Sequence, residues 1–218
     1  MDIAAAGRYD AWYRTRRGAW IGDVEFALLA RLLAAQPGER LLDVGCGTGY
    51  FTRRCARDLG VIATGLDSDP AALHVATHQA KAGERYVEGC AERLPFADRS
   101  FDCTICVTAL AFIADQRQAV REMIRVTRRR VVLGLLDRTS LLYLQKGRGG
   151  GRGAYRGARW HTRREALDLF AGLPVGNVVT RSAVFLPGGG ALARAVERLA
   201  PERCALGAFL AVAADVVT

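Results

Sequence analysis

The 218-residue sequence contains no apolar run that approaches the roughly 20 residues of a membrane-spanning helix, and no secretory apolar stretch begins it. We therefore expect a soluble, cytoplasmic protein without a membrane partner. Acidic residues are also few, since 22 Asp and Glu stand against 31 Lys and Arg and the formal net charge is +9. The surplus favours an anionic partner, either an acidic metabolite or a nucleic acid.

Cysteines at loop positions, which would suggest a disulfide framework, are lacking as well. The six cysteines fall within predicted strands and helices or in a glycine turn, which favours reduced thiols. Cys103 and Cys106 have a spacing typical of zinc ligands, but they lie within a predicted strand, where side chains three residues apart face opposite sides of the sheet. No metal site is predicted.

The most informative stretch is a glycine turn between a predicted strand, 39–44, and a predicted helix, 50–59. Its sequence is Asp43-Val44-Gly45-Cys46-Gly47-Thr48-Gly49, and glycines at alternate positions let a backbone approach a ligand closely. A dinucleotide fingerprint would need glycine at position 50, which is Tyr50. The carboxylate of Asp43 would also repel a pyrophosphate, so the turn favours a cationic ligand over NAD.

The pattern Asp43-x-Gly45-x-Gly47-x-Gly49 resembles the first motif of class I S-adenosylmethionine-dependent methyltransferases, of the small type 11 subgroup. Further matching segments follow, Gly65-Leu66-Asp67-Ser68, 91–96 and 100–102, and the likeness runs from about Tyr9 to the C-terminus. It implies an α/β fold: a Rossmann-like three-layer sandwich around a seven-stranded, mostly parallel sheet of order 3-2-1-4-5-7-6 with strand 7 antiparallel.

One methyltransferase domain is expected over residues 1–218. We divide it into N-terminal cap helices (1–36), a cofactor-binding core (37–137), an Arg/Gly-rich lid (138–164) and the C-terminal part of the sheet (165–218). Within the core, 116–129 has the spacing of a helix. Arg128-Arg129-Arg130 then takes the place of the Pro-Gly-Gly turn that precedes strand five in the resembling family.

The resemblance implies S-adenosylmethionine as the cofactor. The glycines would admit it, and Asp43 would face its amino-acid end. Asp67 lies about 20 residues beyond the turn at the end of the next strand, where a carboxylate can accept hydrogen bonds from both ribose hydroxyls. The predicted cofactor-binding residues are Asp43, Gly45, Cys46, Gly47, Gly49, Asp67, Ser68, Cys90, Ala91, Glu92, Leu94 and Thr108.

Cys90 departs from the family pattern, which commonly has aspartate at this position to accept from the adenine amino group. A thiol is a weak acceptor, so adenine recognition would depend on the backbone at Cys90 and Ala91 and on apolar contact with Leu94.

For the acceptor pocket, the sequence predicts Tyr9, Tyr13, Trp20 and Tyr155, with Thr108 shaping the exit of the methyl group. Alternatively, the N-terminal aromatic residues only pack an amphipathic helix on the core. Residues 108–112 are small and apolar and lack the Pro-Pro-aromatic motif of enzymes that methylate exocyclic base amines. This composition favours an apolar or shape-selected acceptor.

Asp137 and His161 are the candidate general bases. Asp137 serves equally well as the cap of a helix predicted over Thr139–Gln145.

The Arg/Gly-rich stretch 146–164 carries seven Lys and Arg, six Gly and the aromatic residues Tyr155 and Trp160. This composition suits either a nucleic-acid-binding arm or a solvated lid, and the family resemblance favours the lid. We therefore predict methyl transfer to a small-molecule acceptor, and the charge surplus favours an anionic one. The alternatives are an RNA methyltransferase, an RNA-binding protein or a non-catalytic S-adenosylmethionine-binding protein.

Overall fold

The computed structural model describes residues 2–201, 204 and 206–217, which form a seven-stranded sheet flanked by helices. The helices are α1 (Ile3–Trp12), α2 (Arg16–Leu33), α3 (Tyr50–Leu59), α4 (Pro70–His78), α5 (Gln116–Val126), α6 (Arg163–Asp168) and α7 (Ala191–Leu199). The strands are β1 (Arg40–Val44), β2 (Ile62–Asp67), β3 (Glu84–Glu88), β4 (Phe101–Val107), β5 (Thr127–Leu136), β6 (Val175–Ala183) and β7 (Phe209–Val216).

The sheet has the order β3-β2-β1-β4-β5-β7-β6, which confirms the predicted fold class. Strands β1 to β5 pair in parallel, and β7 lies antiparallel between β5 and β6. Strand β1 pairs with both β2 and β4, so the direction of winding reverses there. Open α/β sheets bind ligands at the carboxyl ends of the strands beside such a reversal.

The two faces of the sheet carry separate apolar cores, as expected for a parallel sheet that is buried on both sides. One core joins α2, α3 and α7 to the sheet and includes Cys103. The other joins α5 and α6 and includes Cys106. The two cysteines thus lie on opposite faces of β4.

The predicted helix over 116–129 is wrong at its C-terminal end. Helix α5 ends at Val126, and Thr127 to Arg130 belong to β5. The side chain of Thr127 donates to the carbonyl of Met123 (2.6 Å), which satisfies one of the last carbonyls of the helix. The three arginines do not form a turn, because each pairs with a carboxylate near the amino end of the sheet, namely Asp102, Glu39 and Asp215.

The helix predicted over Thr139–Gln145 begins and ends two residues later than expected, since residues 141–147 are helical. Residues 138–140 form a turn, and a wide helical turn spans Tyr143–Gly147. Within 2–201, 204 and 206–217, no helix combines the length and apolarity that crossing a bilayer requires.

Candidate active site

The glycine turn connects β1 to α3 with a backbone that ordinary residues adopt at a cost. Gly45, Gly47 and Gly49 have φ of 72°, 55° and 79°. A Cβ on Gly45 would overlap the Cβ of Ala109, and one on Gly49 would overlap the hydroxyl of Tyr86. A Cβ on Gly47 would meet no protein atom within 4 Å. Gly45 and Gly49 are therefore needed for packing, whereas Gly47 borders open space.

The carboxylate of Asp67 joins the end of β2 to this turn. Its Oδ2 accepts from the backbone amide of Gly47 (2.7 Å), and its Oδ1 accepts from the amide of Asp69 (2.9 Å). Each carboxylate oxygen can accept a second hydrogen bond. Asp67 can therefore hold the turn in place and bind a ligand at the same time.

A cavity of about 530 Å³, here called the Asp67 cavity, opens in front of this carboxylate. The predicted cofactor residues on its wall are Gly45, Gly47, Asp67, Ser68, Cys90, Ala91 and Glu92. Across it, the thiol of Cys90 donates to Oε2 of Glu92 (2.8 Å), and this hydrogen bond lowers the pKa of Glu92. Glu92 therefore supplies a carboxylate two residues after Cys90, the position where the resembling family commonly has aspartate.

On the other side of the turn lies a cavity of about 390 Å³, the Asp43 cavity. Asp43 is only 1% exposed, and its Oδ2 accepts from the Thr52 hydroxyl (2.7 Å). Burial raises the pKa of Asp43 to about 7. The hydroxyl of Thr48, on the same wall, is buried without a partner among the described residues. This wall offers an acidic group and a hydroxyl to a ligand with cationic and polar groups.

Helix α1 covers the turn because Asp10 joins it to α3 and to the residue that follows α4. Asp10 is buried and accepts from Arg53 of α3 (2.9 Å), from Arg14 (3.0 Å) and from the side chain of Gln79 beyond α4 (3.2 Å). Arg53 also donates to the carbonyl of Thr48 in the turn (2.6 Å). The Asp10 cluster therefore couples the position of α1 to the geometry of the glycine turn.

A third cavity of about 470 Å³, the Glu25 cavity, lies beneath α1 and the 138–164 segment. It shares Tyr9, Tyr13, Thr108, Phe112 and Ala154 with the Asp43 cavity. The Asp43 cavity in turn shares Gly45 and Gly47 with the Asp67 cavity. The three spaces therefore adjoin one another along the carboxyl edge of the sheet.

This chain is similar to known methyltransferases in sequence and in fold. Residues 42–134 match the model of the "Methyltransferase domain" family. The chain superposes on a solved S-adenosylmethionine-dependent methyltransferase of Thermotoga maritima, a possible histamine N-methyltransferase, with a TM-score of 0.76 and 24% identity over 98% of this chain and 97% of that one. The whole chain therefore has the fold of the S-adenosylmethionine-dependent methyltransferases, and the family match covers its residues 42–134.

Two sequence relatives carry more specific names. A malonyl-[acyl-carrier protein] O-methyltransferase of Serratia marcescens is 40% identical over 124 residues, which is 57% of this chain and 46% of that protein. A demethylmenaquinone methyltransferase of Thermotoga maritima is 37% identical over 100 residues, 45% of this chain and 43% of the relative. The chain spans about half the length of these relatives.

The residues present fit S-adenosylmethionine, the cofactor of the matching family. The open side of Gly47 leaves room for it. Asp43 is a buried carboxylate, and no described cation pairs with it, which suits the positive charges of the cofactor. Asp67 has acceptor capacity for ribose hydroxyls. These three features lie on the walls of two adjoining cavities.

Three of the residues predicted to bind the cofactor or line the acceptor pocket lie away from these cavities. Leu94 is buried in the core beside α5, where its amide donates to Glu122 (2.8 Å). Trp20 is buried in the other core, with Arg194 over its ring at 5.5 Å. Gly49 packs against Tyr86. Their positions suggest structural roles for all three.

The candidate bases Asp137 and His161 lie next to each other on neighbouring backbone segments, outside the walls of the three cavities. Oδ1 of Asp137 accepts from the amide (2.7 Å) and hydroxyl (2.6 Å) of Thr139, so it caps the turn after β5. Nε2 of His161 lies 2.9 Å from Oε1 of Gln116. Burial raises the pKa of Asp137 and lowers that of His161, so burial favours the neutral form of each.

In the Arg/Gly-rich segment the aromatic residues point into the protein. Trp160 is buried, and its ring centre lies 5.4 Å from those of Tyr143 and Tyr155. Tyr155 also lines the Glu25 cavity. The side chains that would stack on exposed nucleic-acid bases are therefore used within the fold.

Sequence reasoning missed Thr48 and Glu25. Thr48 lies inside the glycine motif, and nothing in the sequence separates its hydroxyl from that of a surface threonine. Glu25 did leave a signal, because it interrupts the apolar face of α2 between the buried residues Ile21 and Leu28.

Proposed function

We propose that this methyltransferase transfers the methyl group of S-adenosylmethionine to a small-molecule acceptor. The observation that supports this most strongly is the continuity of the cavities: the space beside Asp67 and Asp43 leads to a separate, aromatic-lined space beside Glu25. A donor and an acceptor can then approach each other across the shared wall formed by Tyr13 and Thr108.

Four groups of this chain would hold the cofactor. Asp67 would accept from the ribose hydroxyls, and Asp43 with the Thr48 hydroxyl would bind the amino-acid end. Glu92 would accept a hydrogen bond from the adenine amino group. It would take the role of the aspartate that the family commonly has at position 90, where this chain has Cys90. A hydrogen bond to a charged group contributes about 1.5–3 kcal/mol. The Glu92 carboxylate would therefore offset much of the binding free energy lost with the aspartate.

When bound, the sulfonium supplies an activated methyl group, so the protein mainly has to align the acceptor and exclude water. Helix α1 and Tyr13 form the cover, since the Tyr13 ring stacks on that of Tyr50 with centres 3.7 Å apart. Thr108 has a left-handed backbone (φ 58°) held by a hydrogen bond from its amide to the carbonyl of Gly134 (2.7 Å). Such strained residues cluster at functional sites.

Asp137 and His161 would then position the site rather than bind the acceptor. Asp137 caps the turn that leads to Leu142 and Lys146, two residues on the wall of the Glu25 cavity. We propose a cytoplasmic location as well, because the cysteines, all of them described, are free thiols.

The test is methyl transfer from labelled S-adenosylmethionine to a panel of small metabolites and, in parallel, to RNA. Label in a small molecule supports the proposal. Label in RNA would favour an RNA methyltransferase. Cofactor binding with no transfer to either would favour the binding-protein alternative.

A further inference from the structure

Glu25 places a carboxylate on an otherwise apolar face of α2. It lies four residues after Ile21 and three before Leu28, both of which are buried. Within the described part of the chain, no group donates a hydrogen bond to it and no cation pairs with it. A charge held in such surroundings is costly without a partner, so a ligand that supplies one would be stabilised.

The partly buried carboxylate faces the Glu25 cavity together with several aromatic rings, those of Tyr9, Trp12, Tyr13, Phe112 and Tyr155. Aromatic faces attract cations electrostatically. The cavity therefore combines the two kinds of group that recognise an organic ammonium ion.

The other charged groups of the cavity lie nearer to solvent. Arg8, Arg17 and Lys146 are exposed, and Nε of Arg17 donates to the carbonyl of Pro187 (2.6 Å). The titratable groups that face Glu25 from neighbouring elements are Tyr9 and Tyr13 in and just after α1, Tyr50 of α3, Tyr155 and Lys146 of the 138–164 segment, and Arg8 and Arg17. Burial raises the pKa of Glu25 to about 8, and none of these cations offsets it.

We propose that the methyl acceptor is a small amine, that Glu25 binds its nitrogen, and that Glu25 takes the proton this nitrogen must lose. The inference rests on the proposed methyltransferase function and names its substrate class. Exposed cations around the opening would favour an amine whose far end is neutral or anionic.

A proton passes from the acceptor ammonium to the Glu25 carboxylate and leaves a lone pair on the nitrogen. The nitrogen forms a bond to the methyl carbon while the carbon–sulfur bond breaks, and the electron pair of that bond stays on the sulfur. The products are a methylated ammonium and a neutral thioether, with the proton on Glu25.

Other acceptors fit this carboxylate less well. A carboxylic acid, ionised at neutral pH, would place a second negative charge beside Glu25. An aliphatic alcohol is far too weak an acid to give its proton to a carboxylate. The pKa of a phenol, about 10, is closer to that of Glu25, but a phenol brings no positive charge. Only an ammonium supplies both the charge and an acidity near that of the base.

The test uses three probes of similar size: 2-phenylethylamine, 2-phenylethanol and 3-phenylpropanoate. Each is titrated by calorimetry into the full chain saturated with S-adenosylhomocysteine at pH 9. We expect the amine to bind at least tenfold more tightly than the other two. Its affinity should fall as pH drops through about 8, because Glu25 becomes neutral while the amine stays charged.

The variant is Glu25→Gln, which keeps the shape of the side chain and removes its charge. It should lose the amine preference and the pH dependence while still binding S-adenosylhomocysteine. Asp23→Asn is the matched control, since Asp23 is an exposed acid of the same helix that pairs with Arg54 (2.6 Å). This control should behave as the wild type does.

The outcomes separate the two proposals. If the wild type does not bind S-adenosylhomocysteine, the methyltransferase proposal itself fails. If it does, the amine assignment is overturned by equal affinities for the three probes, by no measurable binding of the amine, or by an amine preference that survives in Glu25→Gln.

Discussion

Asp67 accepts a hydrogen bond from the backbone amide of Gly47, with 2.7 Å between Oδ2 and the nitrogen. The carboxylate at the end of β2 therefore fixes the backbone of the neighbouring turn before any ligand binds. This preorganisation lowers the ordering cost of binding. It also makes Asp67 and the glycine turn one functional unit, so their substitutions should affect the same ligand.

Alanine at Gly45 and at Gly47 should have different effects. Gly45→Ala forces a Cβ into Ala109, so we expect a folding defect of at least 1–3 kcal/mol. Gly47→Ala has only its positive φ to overcome, about 1 kcal/mol, but its Cβ enters the space for the cofactor. Urea unfolding measures the loss of stability expected for Gly45→Ala, and titration with S-adenosylhomocysteine measures the loss of binding expected for Gly47→Ala.

The double variant Gly45→Ala with Ala109→Gly is the control for the first of these. Removing the methyl group of Ala109 should recover part of the lost stability. A Gly47→Ala protein that binds S-adenosylhomocysteine as tightly as the wild type would contradict the placement of the cofactor beside Gly47.

Asp43→Asn should stabilise the ligand-free protein. The folded-state pKa of Asp43 is about 7, above the value of about 4 for an unfolded chain, so the folded state binds more protons between these values. Raising the pH from 4 to 7 therefore destabilises the wild type relative to the variant, and above pH 7 the difference is constant. Each kcal/mol corresponds to about 2–4 °C in Tm for a chain of this size.

Thermal melts of both proteins at pH 4 and pH 8 test this. We expect a higher Tm for Asp43→Asn at pH 8, a smaller gap at pH 4, and weaker binding of S-adenosylhomocysteine by the variant. A lower Tm for the variant at pH 8 would mean that Asp43 has a cationic partner in the free protein.

Asp10→Ala should loosen the cover formed by α1. The substitution removes acceptors for Arg14, Arg53 and Gln79, and breaking a buried ion pair typically costs 3–5 kcal/mol. Part of this cost should be local, so limited proteolysis should cut within α1 faster than in the wild type. Asp10→Asn, which retains one acceptor oxygen, should be intermediate. Unchanged proteolysis in Asp10→Ala would show that α1 is held by its aromatic contacts alone.

The sequence predicted the position of the glycine turn and the carboxylate at the end of β2 because both depend on local backbone chemistry, whereas the sheet order was predicted from the family resemblance that these motifs carry. A turn with glycine at 45, 47 and 49 has few alternatives, and a strand that ends at Asp67 must place that residue at the ligand edge. The error at Arg128–Arg130 is different in kind. Local periodicity favoured a helix, whereas pairing with Asp102, Glu39 and Asp215 favours a strand, and these carboxylates are distant in sequence.

The site beyond the cofactor depended on tertiary packing that sequence spacing does not report. Trp20 and Tyr13 look alike as N-terminal aromatic residues, yet the first lies in the core and the second lines two cavities. Glu25 lines a cavity only because α1 and the 138–164 segment pack over α2.

The most direct test of the central claim is calorimetric titration of S-adenosylhomocysteine into the wild type and Asp67→Asn. Asp58→Asn is the control, because Asp58 is a carboxylate on α3 away from the three cavities, paired with Arg54 and Arg57. We expect one ligand per chain for the wild type and the control, and affinity at least tenfold weaker, about 1.4 kcal/mol, for Asp67→Asn. Equal binding by Asp67→Asn, or no binding by the wild type, would contradict the assignment of the site.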